Sequence, residues 1–328
     1  MSEKQFTCEI CQHSGNFPVY KVKEMMFGTA ETFTYAECPS CKTLFLADPP
    51  ENMGDYYPKN YYSFGKLDAE KYYQFSLSNL AKISLFRYRL GKSSFLGAYL
   101  ADRNFDYFPW LDPEFMNFDS RILDVGCGNG HLLLNFARAG FKSLKGIDPF
   151  IPGDIEYERG IKIYKKGLFE FGGKFDLVML NHSYEHMQEP EKVMKKLASL
   201  LDYGGTLLIR IPVAESTAWE IYREFWAQID APRHYFIHSV GGMKILAERT
   251  GLLIEKIFYD SDEFQFRGSE LYKKGLPLYE GENAFSKEQI KEWRKQAREL
   301  NRTGKADMAC FFLRKHHRPQ STESNQSQ

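Results

Sequence analysis

No stretch of this 328-residue chain approaches the roughly 18 consecutive apolar residues that a membrane-spanning helix needs. No membrane partner is therefore expected. The opening MSEKQFTCEICQ lacks the apolar core of a secretory signal, which makes the cytoplasm the expected location. Net charge is missing too: 43 Lys plus Arg oppose 43 Asp plus Glu, so no global field recruits a polyanion, and a nucleic-acid partner is not expected. No internal repeat is evident, and the oligomeric state stays open. Cysteine is scarce, with six in all, and in a chain expected in a reducing compartment so few do not make a disulfide framework.

Four of those cysteines nevertheless fall into two close pairs, Cys8 with Cys11 and Cys38 with Cys41, separated by 26 residues. Paired Cys-x-x-Cys spacing supplies four thiolates to one tetrahedral metal, expected to be zinc. Four sulfurs saturate it and leave no open position, so the expected role is structural. Cys127 and Cys310 read as small buried residues.

The chain divides into a zinc-binding module (1–48), an aromatic-rich helical connector (49–118), a main domain (119–315) and a polar, disordered tail (316–328). In the connector, 18 of the 63 residues from Tyr56 to Phe118 are aromatic, a density that calls for packing on the main domain. From Arg121 onward, short apolar strands alternate with amphipathic helices, the pattern of a mainly parallel sheet covered on both faces. The strands expected are RILDVG, SLKGID, IKIYKK, FDLVMLN, GTLLIRIP, LLIEKIFY and ADMACFFLRK. The fold class is thus α/β, Rossmann-like, with a seven-stranded sheet.

The strongest chemical signal is Asp124-Val-Gly126-Cys127-Gly128-Asn-Gly130, between the first strand of that sheet and a helix. Alternating glycines make a side-chain-free turn that lets backbone amides approach a ligand, unlike the G-x-G-x-x-G spacing that receives a pyrophosphate. Asp148, at the end of the next strand, is placed to accept hydrogen bonds from the ribose of a nucleoside.

The ordered set LDVGCGNG, GIDP, FDLVMLNHSYEHMQEP and GGTLLIRIP resembles class I S-adenosylmethionine-dependent methyltransferases over residues 119–315. The resemblance implies that Asp124, Gly126, Cys127, Gly128 and Gly130 cradle the methionine part of S-adenosylmethionine. It implies that Asp148 and Pro149 border the ribose, that Gly167, Leu168 and Phe169 pack the adenine, and that Asn181 and His182 face the sulfonium. His182, His234 and Glu185 are the catalytic candidates, with Tyr184 and His186 next. His182-x-x-Glu185-His186 also matches an inverted zinc-hydrolase motif, but the segment lies between a strand and the helix opened by Pro190, so a turn is expected there. That leaves one metal, in the cysteine module. Arg223, Arg233 and Arg267 are candidate grips for an anionic acceptor, and Trp219, Tyr222, Phe225 and Trp226, at helical spacing, make either an aromatic lid or wall or ordinary packing.

The expected activity is methyl transfer from S-adenosylmethionine to a small-molecule acceptor of the sugar, glycan-precursor or natural-product type. The alternative is an RNA methyltransferase with a zinc ribbon, against which stand the zero net charge and the lack of an N-P-P-Y or D-P-P-Y motif. A non-catalytic cofactor-binding scaffold is the third reading.

Overall fold

The computed structural model describes residues 2–57, 65, 67–74, 76–102, 108–281 and 284–315. The tail 316–328 and parts of the connector lie outside the described residues. In chain order the strands are β1 (Ser2–Thr7), β2 (Ser14–Lys23), β3 (Thr32–Glu37), β4 (Leu44–Leu46), β5 (Arg121–Val125), β6 (Ser143–Ile147), β7 (Ile155–Tyr157), β8 (Ile161–Tyr164), β9 (Phe175–Asn181), β10 (Leu201–Pro212), β11 (Phe236–Ile237), β12 (Leu252–Tyr259) and β13 (Met308–Lys315). The helices are α1 (Ala69–Tyr73), α2 (Leu77–Arg89), α3 (Phe95–Asp102), α4 (His131–Ala139), α5 (Pro190–Leu200), α6 (Thr217–Tyr222), α7 (Val240–Arg249), α8 (Phe264–Lys273) and α9 (Lys287–Thr303). Among the described residues, no helix is long and apolar enough to cross a membrane.

The large sheet runs β12-β13-β10-β9-β5-β6-β8-β7. Its centre, β10-β9-β5-β6-β8, is parallel, while β13 lies antiparallel between β10 and β12. All seven expected strands are present. The strand count needs correcting to eight, because the three-residue β7 adds antiparallel to β8 at the edge. Its sequence IEY turns Ile155 and Tyr157 inward but is too short to announce itself by alternation. Helices cover the faces, so the central strands read as continuous apolar runs, as in the buried-exposed pattern of FDLVMLN, whose residues 177–180 are all fully buried. Helix α4 ends where Gly140 takes φ 120° and donates to the Phe136 and Ala137 carbonyls. The connector covers α4: Phe86 of α2 meets Phe136 and Phe141 edge-on at 5.1 and 5.9 Å.

The small antiparallel sheet runs β1-β2-β3-β4-β11. Its last strand comes from the far end of the sequence, Phe236 and Ile237 pairing with Phe45 and Leu44. The cysteine module is therefore stitched into the main body. Leu46 N–H donates to the Tyr235 carbonyl at 2.9 Å, Tyr35 Oη donates to the His234 carbonyl at 2.8 Å, and Arg249 reaches the Ile10 carbonyl at 2.6 Å. At the centre of this seam Arg233 is fully buried, 2.8 Å from Glu24 and 2.5 Å from Asp230. The expectation that Arg233 holds an acceptor gives way to this structural pairing. Trp219, Tyr222 and Trp226 are likewise buried, packed with Tyr20 and Tyr35 of the module. Of the lid and packing readings, these three side chains take packing.

Candidate functional site

The strand order reverses at β5, with β6 on one side and β9 on the other, and in open α/β sheets ligands bind outside the carboxyl ends of the strands at such a point. Here β5 ends on Val125 and the chain turns through Gly126, Gly128 and Gly130, with φ of 73°, 52° and 79°. A Cβ on Gly126 would stand 2.5 Å from the Ser183 Cβ, and one on Gly130 would collide with Ile163 Cδ1. Both dihedral and space therefore demand glycine. Asp148 closes the loop from the neighbouring strand: its Oδ2 accepts from Gly128 N at 2.9 Å and its Oδ1 from Phe150 N at 2.8 Å. Each oxygen keeps a lone pair for a ligand hydroxyl. Beneath the loop Asp124 is 2% exposed, and burial, reinforced by the Asp148 charge, pushes its carboxyl up to about 8.

These residues wall a cavity of about 810 Å³. Of the expected set, Asp124, Gly126, Cys127, Gly128, Asp148, Pro149, Leu168, Phe169, Asn181 and His182 line it. Gly130 and Gly167 do not. Gly130 caps α4, and the Gly167 N–H is turned onto Glu170 Oε2 at 2.9 Å. The cavity also has walls that the sequence did not single out, among them Tyr57, Phe150, Lys166, Ser183 and Met187. Tyr57 stacks on Phe150 at 5.9 Å and 11° and brings its hydroxyl 3.2 Å from His186 Nδ1. The aromatic density of the connector was the one hint of this contact.

A second cavity of about 290 Å³ lies behind, walled by Arg210, Gln228, Asp230, His234, Asp260, Asp262, Tyr272 and Asp307. The two cavities share His182 and His186, so these side chains stand in the partition between them.

His182 follows β9 directly, in the left-handed region at φ 54°, a conformation costing about 1–3 kcal/mol that persists at sites where the surroundings enforce it. Its Nε2 faces Arg210 Nη1. A guanidinium only donates, so Nε2 accepts and Nδ1–H points to Glu185 Oε1 at 3.6 Å. The ring has no lone pair left for a proton, which argues against the general-base role expected for it. His234 differs. It is 5% exposed, its Nδ1 donates to the Gln228 carbonyl at 2.9 Å, and burial, with help from His186, brings its pKa down to about 4. It is neutral at pH 7, with Nε2 unprotonated and 3.9 Å from Glu185 Oε1. Glu185 is fully buried in a one-turn 3₁₀ segment, Tyr184–His186, which is the turn expected for the H-x-x-E-H stretch.

Cys8 and Cys41 bring their sulfurs to 3.6 Å, Cys11 and Cys38 to 3.5 Å, and all four lie within 4.8 Å of one another. Both Cys-x-x-Cys turns are built alike. Gln12 N and Lys42 N each donate at 2.9 Å to the carbonyl of the first cysteine of their pair, with φ of 64° and 62°. A tetrahedral zinc with bonds of ~2.3 Å separates its sulfurs by about 3.8 Å, so the set fits that ion.

Among known proteins, the methyltransferase-domain family model matches residues 93–257. A tRNA U34 carboxymethyltransferase of Campylobacter fetus is 27% identical over 168 residues, 47% of this chain and 59% of that protein. An ajmaline N-methyltransferase of Rauvolfia serpentina is 31% identical over 111 residues, 30% of this chain and 37% of that one. The solved structure of a SAM dependent methyltransferase from Archaeoglobus fulgidus aligns with 71% of this chain and 98% of its own, at 21% identity and a TM-score of 0.40, too loose a likeness to bear on function. The chain spans 40% to 59% of the length of the tRNA U34 carboxymethyltransferases it matches. Those relatives correct one expectation, that the acceptor is a small molecule and nucleic acid an unsuitable partner. A net charge of zero is a sum over the whole surface and says nothing of how charge is arranged around a site. The family match runs from the connector helix α3 across the glycine loop into β12, and this chain belongs to the methyltransferase-domain family.

Proposed function

We propose that the chain methylates a nucleotide residue of an RNA, of the tRNA class that its curated relatives are named for. The observation that carries the site assignment is the partition at His182 and His186, with a larger cavity on one side and a smaller one on the other. S-adenosylmethionine, when bound, supplies an electrophilic methyl group on a sulfonium. In this reading Asp148 holds the ribose, Asp124 meets the cationic methionine end, and Pro149, Leu168 and Phe169 flank the adenine. Asn181 and His182 border the sulfonium.

The smaller cavity, near the ~300 Å³ lower end of ligand pockets, takes one nucleobase turned out of the RNA, as enzymes that modify bases require. Arg210 offers donors to the base edge, while Asp260 and Asp262 offer acceptors. Where the accepting atom must lose a proton, His234 Nε2 is the unprotonated nitrogen in reach of that space. At the rim, Phe150 and Phe169 are 64% and 50% exposed, with Lys192 over the Phe169 ring at 5.2 Å. Exposed rings beside a cation suit unpaired bases. The cysteine module holds a structural zinc and, through β4 and β11, sets the position of the His234 segment.

The test is incubation of the full chain with methyl-labelled S-adenosylmethionine and, separately, tRNA, ribosomal RNA and a low-molecular-weight cell extract, followed by mass spectrometry of the nucleosides and metabolites. Label in a tRNA nucleoside is expected. Label confined to the low-molecular-weight fraction would sink the RNA acceptor and leave the methyltransferase standing.

A further inference from the structure

The turn at Tyr184–His186 and the loop that carries His234 converge on a feature the methyl-transfer chemistry does not need. Glu185, His186 and His234 each aim one ligand atom at a common point, all within 4.8 Å of one another. Both imidazoles are fixed by a carbonyl behind them: His186 Nδ1 donates to the Arg233 carbonyl at 2.9 Å, and His234 Nδ1 to the Gln228 carbonyl at 2.9 Å. That leaves Nε2 of each ring as the lone-pair side, and His234 Nε2 stands 3.9 Å from Glu185 Oε1. A metal-bound histidine is oriented in this way, its second nitrogen donating to a carbonyl or carboxylate.

The third member supplies the independent observation. Glu185 is fully buried, and neither of its carboxylate oxygens has a hydrogen-bond partner among the described residues. An ionised carboxylate in such a place is costly unless a cation meets it. Its neighbours do not do so: His182 Nδ1 stays 3.6 Å and His234 Nε2 3.9 Å away, both beyond hydrogen-bond range. Nor does the nearby Asp230 compete for the point, since its carboxylate is taken up by Arg233.

We propose that Glu185, His186 and His234 bind a divalent transition-metal ion, a second metal site distinct from the four-cysteine one. Two imidazoles and one carboxylate are a donor set for Zn²⁺ or Fe²⁺, with positions left open for another ligand. Bonds of ~2.1 Å place neighbouring ligand atoms about 3.0–3.4 Å apart, so the 3.9 Å from His234 Nε2 to Glu185 Oε1 closes by a small side-chain rotation. His186 and His234 both line the 290 Å³ cavity, the space from which a further ligand would reach such an ion. A hydroxyl or carbonyl oxygen of whatever molecule enters that cavity is the ligand they would take. The proposal does not depend on that molecule being RNA, and in the metal-bound protein the His234 Nε2 lone pair serves the ion in place of the base role given to it above.

Zinc content and X-ray absorption decide it, on full-length protein saturated with Zn²⁺ and freed of loosely held metal. The wild type should carry two zinc ions per chain, and its average zinc environment should mix sulfur with nitrogen and oxygen. His234→Gln and Glu185→Gln should each fall to one zinc with sulfur neighbours only. In cobalt-loaded samples the thiolate-to-cobalt charge-transfer band should persist in both variants, showing that the cysteine module stays folded. One zinc in the wild type with sulfur neighbours alone, or two zincs in both variants, overturns the proposal. Should the variants fail to fold, the nitrogen and oxygen neighbours of the wild-type zinc still decide the matter.

Discussion

Removing the Arg233 guanidinium should be the most damaging single change in the seam between the two sheets. The side chain is 0% exposed, as is that of Glu24, and Asp230 is 15% exposed. Arg233 makes bonds of 2.8 Å to Glu24, 2.9 and 2.5 Å to Asp230, and 3.3 Å to the Tyr56 carbonyl. Methionine keeps most of the volume and none of the charge, so Arg233→Met strands two carboxylates, Glu24 out of reach of water and Asp230 with little access to it. Breaking a buried pair in this way costs about 3–5 kcal/mol, whereas replacing every member by neutral groups is often neutral. The expected results are a loss of that size in Arg233→Met and recovery of most of it when Glu24→Gln and Asp230→Asn are added. Urea unfolding read by tryptophan fluorescence suits the measurement, because Trp219 and Trp226 lie in the same packed cluster.

The pH dependence adds a sign. Burial would raise the Asp230 carboxyl, but the Arg233 charge and hydrogen bonds outweigh it and hold it below its ordinary 3.8. In the wild type this contribution is complete above about pH 4 and is lost as the pH falls further. In Arg233→Met the stranded carboxylates gain from protonation, so the gap between variant and wild type should narrow toward pH 4–5. A variant within about 1 kcal/mol of the wild type at pH 7 would refute the claim that this ion cluster holds the module in place.

Three further outcomes follow from the site. With Asp124 near 8, a cationic ligand that selects its ionised form should bind about tenfold more tightly at pH 9 than at pH 7 and release a proton; calorimetry showing equal S-adenosylmethionine affinity at both would remove Asp124 from the cofactor's positive end. Gly126→Ala adds a Cβ 2.5 Å from Ser183 at φ 73° and should abolish cofactor binding, while Gly153→Ala, with nothing within 4 Å, should not change it; equal affinities would show that the loop is not in contact with the ligand. Stripping zinc from the cysteine module should free β4 and so unseat β11, and amide exchange at Phe236 and Ile237 should rise with that at Leu44 and Phe45; protection unchanged by metal removal would show that the sheet stands without it.

The sequence alone determined the local, periodic and short-range features. Alternating glycines bracketed by Asp124 and Asp148 announced the tight loop that walls the larger cavity, because the demand for positive φ and a bare backbone is written in residue type. The seven main strands were legible because both faces of the sheet are buried, which turns each into a run such as DLVML. Paired cysteines announced by spacing the four-sulfur cluster that the fold assembles. Only tertiary structure decided the features that join distant segments. That Phe236–Ile237 completes a sheet begun at Ser2, that Arg233 answers Glu24, and that Tyr57 lies against Phe150 each require contacts between residues far apart in the chain. Such contacts follow from how whole elements pack, and no local pattern encodes them. The same holds for Glu185, His186 and His234: two of the three adjoin in sequence, but the third is brought in by a loop that the cysteine module pins from behind through Tyr35 and Leu46.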